Sequence, residues 1–241
     1  MRIIEKLKAK QSDLNAFPPV TIAFLGDSVT QGCFECYLKD GNGIGTVFEA
    51  KYAFGTRVKE LLNLLYPSVQ INVINSGISG DVATNGLKRL ERDVLKYEPD
   101  LVVVGFALND STWGEAGLDG YAKSIQSILE RALATGAECI LLTPNMMNVT
   151  TSDLLKDELF IRLSKEFAEI QKRGMLSRYV ETEMSVAREL SVPVCDVYGQ
   201  WLQLYNGGVE ITELLSNKLN HPIREFHYYT AIKLVETMFK G

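Results

Sequence analysis

The chain has 241 residues, 46% hydrophobic and 23% charged, with a formal net charge of −5. That length suffices for one large α/β domain, and the usage is that of an ordinary globular protein. The acidic balance argues against a nucleic-acid or anionic-membrane partner, and no apolar run approaches the ~20 residues needed to span a bilayer.

Met1 to Leu14 places Arg2, Glu5, Lys6, Lys8 and Lys10 among apolar residues. It lacks the uninterrupted apolar region of a signal peptide and reads as an amphipathic helix within residues 1–16, which points to a cytoplasmic protein. Val20 to Leu25 is an apolar, β-branched run that stops at Gly26-Asp27-Ser28. Such a run predicts a buried parallel strand, with Ser28 at its carboxyl end, where open α/β sheets place their ligands. Ser28 is therefore a candidate nucleophile; a helix N-cap is the plainer alternative.

Cys33 to Ala53 reads as a glycine-rich loop containing Gly41, Gly43 and Gly45, without the spacing of a phosphate-binding loop. Cys33 and Cys36 have the C-x-x-C spacing of a redox pair or half a zinc site, but two further ligands are lacking. Cys139 and Cys195 fall in strand-like runs, as buried thiols do, and four cysteines are too few for a disulfide scaffold.

Further strands are predicted at Gln70–Ile74, Leu101–Phe106, Glu138–Leu142 and Val192–Val197. Between them, Asp81 to Tyr97 aligns Leu87, Leu90 and Val94, and Asp119 to Ala134 aligns Tyr121, Ile125, Ile128, Leu129 and Ala132. A last helix runs from about Ile223 to Lys240. This alternation predicts one domain over 1–241: a three-layer α/β/α sandwich on a flavodoxin-like, five-stranded parallel sheet of order 2-1-3-4-5. Residues 151–175 form a helical insertion, either a surface helix broken near Gly174 or a cap or dimer contact, so a homodimer is left open.

The second strand ends in Asn75-Ser76-Gly77-Ile78-Ser79-Gly80-Asp81 and the third in Ala107-Leu108-Asn109-Asp110. Both should lie on the sheet edge that carries Ser28. A serine, glycine N–H groups and a carboxamide at one edge are what acyl transfer requires, since the tetrahedral oxyanion needs neutral donors. Glycine at position 80 would let the main chain approach a substrate. Turn geometry and Asx caps are the plainer readings of each piece alone.

A base is supplied near the end by Asn217-Lys218-Leu219-Asn220-His221-Pro222. The only histidines are His221 and His227. His221 precedes the last helix, with Pro222 at its start, and can take the serine proton. His227 falls inside the helix and reads as packing. Asp196 reads as structural.

These blocks, in this order, resemble the SGNH/GDSL hydrolase superfamily: Gly26-Asp27-Ser28, Asn75 to Asp81, Ala107 to Asp110, and His221-Pro222. The resemblance implies Ser28 as nucleophile, the Ser28 and Gly80 N–H groups with the Asn109 side chain as oxyanion hole, and His221 as base. It implies a cofactor- and metal-free esterase acting on a small-molecule ester.

Two positions depart from the family pattern. Ala107 stands where the family has glycine. Lys218 stands where it has an aspartate three residues before the histidine, so Asn217 or a main-chain carbonyl must orient His221.

Polar residues Asn42, Asn85, Asn145 and Asn148 lean toward a short acyl group on a carbohydrate or other polar alcohol. The loop Pro144 to Asn148 reads as core filling through Met146 and Met147, or as an acyl pocket. Three alternatives stand beside this: a lipase or thioesterase with a longer acyl group, an idle binding module on the same fold, or a flavin- or nucleotide-binding protein, for which a phosphate loop is missing.

Overall fold

The computed structural model describes residues 1–40 and 43–240. Gly41 and Asn42, two of the residues singled out above, lie outside the described residues.

The central sheet consists of β1 (Val20–Gly26), β4 (Ile71–Gly77), β5 (Leu101–Gly105), β6 (Glu138–Leu142) and β7 (Val194–Cys195). All pairings are parallel, in the order β4-β1-β5-β6-β7. Counting these strands alone, that is 2-1-3-4-5. Six of the seven residues of β1 are buried, as a strand covered on both faces must be. The edge strand β4 is far more open, which its polar Asn72 and Asn75 tolerate.

Helices α3 (Phe54–Leu65) and α9 (Arg224–Lys240) pack together on the sheet, and α4 (Ala83–Asp93), α5 (Leu118–Ala134) and α7 (Met175–Glu189) form the other group. The predicted stripe Tyr121, Ile125, Ile128, Leu129, Ala132 is wholly buried on α5. Helix α1 (Arg2–Ser12) lies at the amino ends of β5 and β6. Glu138 accepts from the N–H groups of Arg2 (2.8 Å) and Ile3 (2.6 Å), and Lys6 pairs with Asp100 at 2.5 Å. A carboxylate there satisfies the free donors of the helix start.

Three sequence expectations change. Cys33 to Ala53 is a hairpin, not a loop: β2 (Cys33–Leu38) and β3 (Ile44–Phe48) pair antiparallel, followed by a 3₁₀ turn at Ala50–Tyr52. Phenylalanine, tyrosine, isoleucine, threonine and valine are strand formers, and the glycines between the two runs mask that signal. The fifth strand is shorter than expected, because Pro193 has no N–H to donate and Asp196 turns away to cap helix α8 (Val197–Asn206), accepting from Gly199 at 2.9 Å. The helical part of residues 151–175 is shorter than expected: 151–157 lie outside any helix, while the break near Gly174 is as read, α6 (Glu158–Lys172) ending before it and Gly174, at φ 69, starting α7.

Candidate active site

In-register pairing of Gly26 with Gly77 and with Gly105 brings the ends of β4, β1 and β5 to one level. Beyond Gly26, Asp27 caps the short helix α2 (Ser28–Gln31) by accepting from Val29 N–H at 2.9 Å. Ser28 is thus the first helical residue and Asp27 the cap. The β4 loop lies directly on α2. A Cβ at Gly77 would sit 2.2 Å from Gln31 N, so only glycine fits there. Gln31 Oε1 accepts from Ser79 N–H at 2.7 Å and Asn75 Nδ2 donates to Thr30 O at 2.9 Å.

Gly80 has the turn geometry given as the plainer reading, and open space where a Cβ would stand. Its φ of 78 is one that L side chains rarely adopt.

Ser28 and His221 are both buried, and Ser28 Oγ lies 2.9 Å from His221 Nε2. The other ring nitrogen, Nδ1, lies 2.8 Å from the Phe34 carbonyl oxygen. A carbonyl can only accept, so Nδ1 carries the proton and Nε2 is left to accept from the serine hydroxyl. Burial pushes the imidazole down to about 4, with the Phe34 carbonyl and the charge of Glu35 acting against it. At neutral pH His221 is therefore a neutral acceptor.

Asn217 does not touch the imidazole. Its Oδ1 accepts from the N–H groups of Leu219 (3.0 Å), Asn220 (3.0 Å) and His221 (2.9 Å). Its Nδ2 donates to Asn220 Oδ1 at 3.0 Å. An Asx side chain that gathers three successive donors shapes the turn, and the ring-orienting position falls to Phe34. Lys218, at φ 58, turns its ammonium to Glu213 at 2.8 Å. The loop is pinned further by Ser216 N–H donating to His221 O (2.8 Å) and Asn145 Nδ2 to Asn220 O (2.9 Å). Pro222 precedes the last helix and bridges Leu215 instead of opening the helix.

Asn109 Nδ2 donates one proton to the Asp81 carbonyl at 2.8 Å, which leaves its second free. Among the described residues the N–H groups of Ser28 and Gly80 meet no protein acceptor. Arg89 is buried and ties the ends of β1 and β4 to the loop that follows β4. It donates to the Asp81 carboxylate (2.7 Å), the Ser76 carbonyl (2.6 Å) and the Gly26 carbonyl (2.9 Å). The signal for Arg89 was a guanidinium beside Leu90 on the buried stripe of α4.

Asp110 accepts from Ala83 N–H (2.9 Å) and Ala107 N–H (3.1 Å), and burial pushes its carboxyl up to about 6. Burial likewise pushes Asp27 up to about 7.

Ala107 is buried and sits at φ 89. Replacing it by glycine relieves the left-handed strain, about 1–2 kcal/mol. Against that stand the flexibility of the unfolded chain, roughly 0.4–1 kcal/mol, and one lost methyl, about 0.8 kcal/mol. Ala107→Gly is thus expected to be near neutral in thermal unfolding, whereas Ala107→Val loses about 2–3 kcal/mol. A valine variant as stable as the parent would contradict this account of the turn.

The remaining residues singled out from sequence lie elsewhere. Met146 and Met147 are core. Asn145 and Asn148 are buried and spend their amides on main chain: Asn148 Nδ2 donates to Ser164 O on α6 at 2.8 Å and to Thr150 O at 2.9 Å. Asn85 accepts from Lys88 on α4. His227 is buried against the rings of Phe34 and Phe54, and burial pushes it down to about 3. The four cysteines are free thiols, and no group of three metal-ligating side chains gathers among the described residues. No helix among them is long and apolar enough to cross a membrane.

The GDSL-like lipase/acylhydrolase family profile matches residues 24–227. The acetylxylan esterase of Geobacillus stearothermophilus is 27% identical over 160 residues, 61% of this chain and 71% of that protein. Among solved structures, a mutant of an acetyl-xylooligosaccharide esterase from Geobacillus superposes with a TM-score of 0.66 at 19% identity, covering 91% of this chain and 94% of that one. A two-domain esterase active on acetylated mannans, solved with mannopentaose, gives 0.64 at 21% identity, covering 98% of this chain and 53% of that one. At such identity these two structures speak for the fold. The profile, spanning all four motif blocks, speaks for the family: the chain belongs to the GDSL-like lipase/acylhydrolase family and is a carboxylic ester hydrolase.

Proposed function

We propose that the protein is a serine esterase that removes a short acyl group, such as acetyl, from a carbohydrate or similar polar alcohol. The observation that carries this reading is the 2.9 Å contact between Ser28 Oγ and a histidine whose proton is held on the far nitrogen by Phe34. His221 Nε2 takes the hydroxyl proton as Ser28 Oγ attacks the ester carbonyl. The oxyanion is met by the N–H groups of Ser28 and Gly80 and the free proton of Asn109. Collapse expels the alcohol, which receives the proton from the imidazolium. Water, deprotonated by the same nitrogen, then releases the acid and restores Ser28.

The relatives favour a short acyl group on a sugar. The named relatives act on acetylated xylan or mannan.

The test compares kcat/KM for acetyl, butyryl and octanoyl esters of one activated phenol, then for acetylated xylo- and manno-oligosaccharides. Acetyl is expected to exceed octanoyl by roughly 10-fold or more, since a site shaped for a short acyl group rejects added methylenes. Octanoyl turnover equal to or above acetyl would replace this reading with a lipase-like one.

A further inference from the structure

The hairpin that carries Phe34 is irregular. Cys33 pairs with Phe48 and Cys36 with Thr46, so β2 spends one residue more than β3 over this interval. This is a β-bulge, a device that re-aims backbone groups beside active sites. Within it lie Phe34, whose carbonyl holds His221, and Glu35.

Arg224, three residues after His221, ties the hairpin to the start of α9. Its Nη1 and Nη2 donate to the two Glu35 oxygens at 2.7 and 3.0 Å, and its Nε donates to Glu49 Oε2 at 2.6 Å. The guanidinium also lies over the Phe34 ring, 4.4 Å from its centroid. Two carboxylates against one guanidinium leave this group net negative, a few residues from an imidazole that must become positive in the reaction. Asn217 Nδ2 to Cys36 Sγ, at 3.5 Å, adds a second link between hairpin and histidine loop.

We propose that the absent family aspartate is replaced by two separate parts: the bulged Phe34 carbonyl orients the imidazole, and the Glu35–Arg224–Glu49 cluster holds that carbonyl in place and supplies the negative charge. Glu35, Glu49 and Arg224 are positioning residues, since none touches the reacting atoms. The inference rests on the Ser28–His221 reading above. The other groups around His221 do not serve. Asp27 faces the Val29 N–H, Lys218 is paired with Glu213, and His227 on α9 is neutral through burial. The Cys36 thiol is pushed up by burial and stays uncharged. The charge of Glu35 does favour the protonated form of His221.

The test is the pH dependence of kcat for Glu35→Gln and Arg224→Gln beside the parent enzyme. Removing a carboxylate makes the imidazolium less stable, so the acid limb moves down, by about 0.5–1 pH unit for a screened charge at this range. Removing the guanidinium moves it up by a similar amount. Both variants lose kcat more than KM changes. A purely structural clamp would lower activity in both without opposite displacements of the limb. Should Glu35→Gln fail to fold, Glu49→Gln makes the same charge change from the residue that follows β3. Limbs that stay put, or move in one direction in both variants, overturn the proposal. Ser28→Ala run alongside separates the two layers, because turnover surviving in it would instead remove the nucleophile assignment.

Discussion

Ser28→Ala is expected to lower kcat on an activated acetyl ester by roughly 10⁴–10⁶-fold, leaving thermal stability nearly unchanged. The hydroxyl is the only group removed, and its partner is His221 Nε2. His221→Ala should cost a similar factor, and the double variant little more than either alone. Serine and histidine act as one unit, since without the base the hydroxyl stays protonated and without the hydroxyl the base has no proton to take. Additive losses in the double variant would mean that the two side chains serve separate steps.

Asn109→Ala should lower kcat by roughly 10²–10³-fold with little change in KM. One amide proton of Asn109 is committed to the Asp81 carbonyl at 2.8 Å, and that bond fixes the direction of the other. Asp81 is itself held by buried Arg89. The donor is therefore set before substrate arrives, and a preset dipole acts on the oxyanion without reorganising. Losing the Asp81 bond alone costs about 1 kcal/mol of stability, too little to account for such a rate loss. A KM effect without a kcat effect would place Asn109 in ground-state binding instead.

The sheet order and the main helices were legible because each rests on side-chain periodicity. The apolar run of β1 and the stripe on α5 admit few other structures. Ser28, Gly80 and Asn109 could be placed together because strand ends in a parallel sheet share one edge, whereas His221 stood out as one of two imidazoles, the other falling inside a helix. The hairpin was not legible, since its bulge breaks the period-two pattern that marks a strand. The group that orients His221 was beyond side-chain reading altogether: Phe34 contributes a main-chain oxygen, which every residue carries. Asn217 was read as a possible orienter of His221, but three donors of its own turn claim its acceptor oxygen. The amides of Asn145 and Asn148 donate to buried main chain, a use that their polarity alone does not reveal.

The most direct measurement is to treat the parent enzyme with a fluorophosphonate and locate the adduct by peptide mass spectrometry. A hydroxyl activated by His221 is expected to take one phosphonyl group at Ser28, with labelling lost in Ser28→Ala and much slower in His221→Ala. An unlabelled Ser28 in a preparation that still hydrolyses the ester, or an adduct on another serine, would contradict the account.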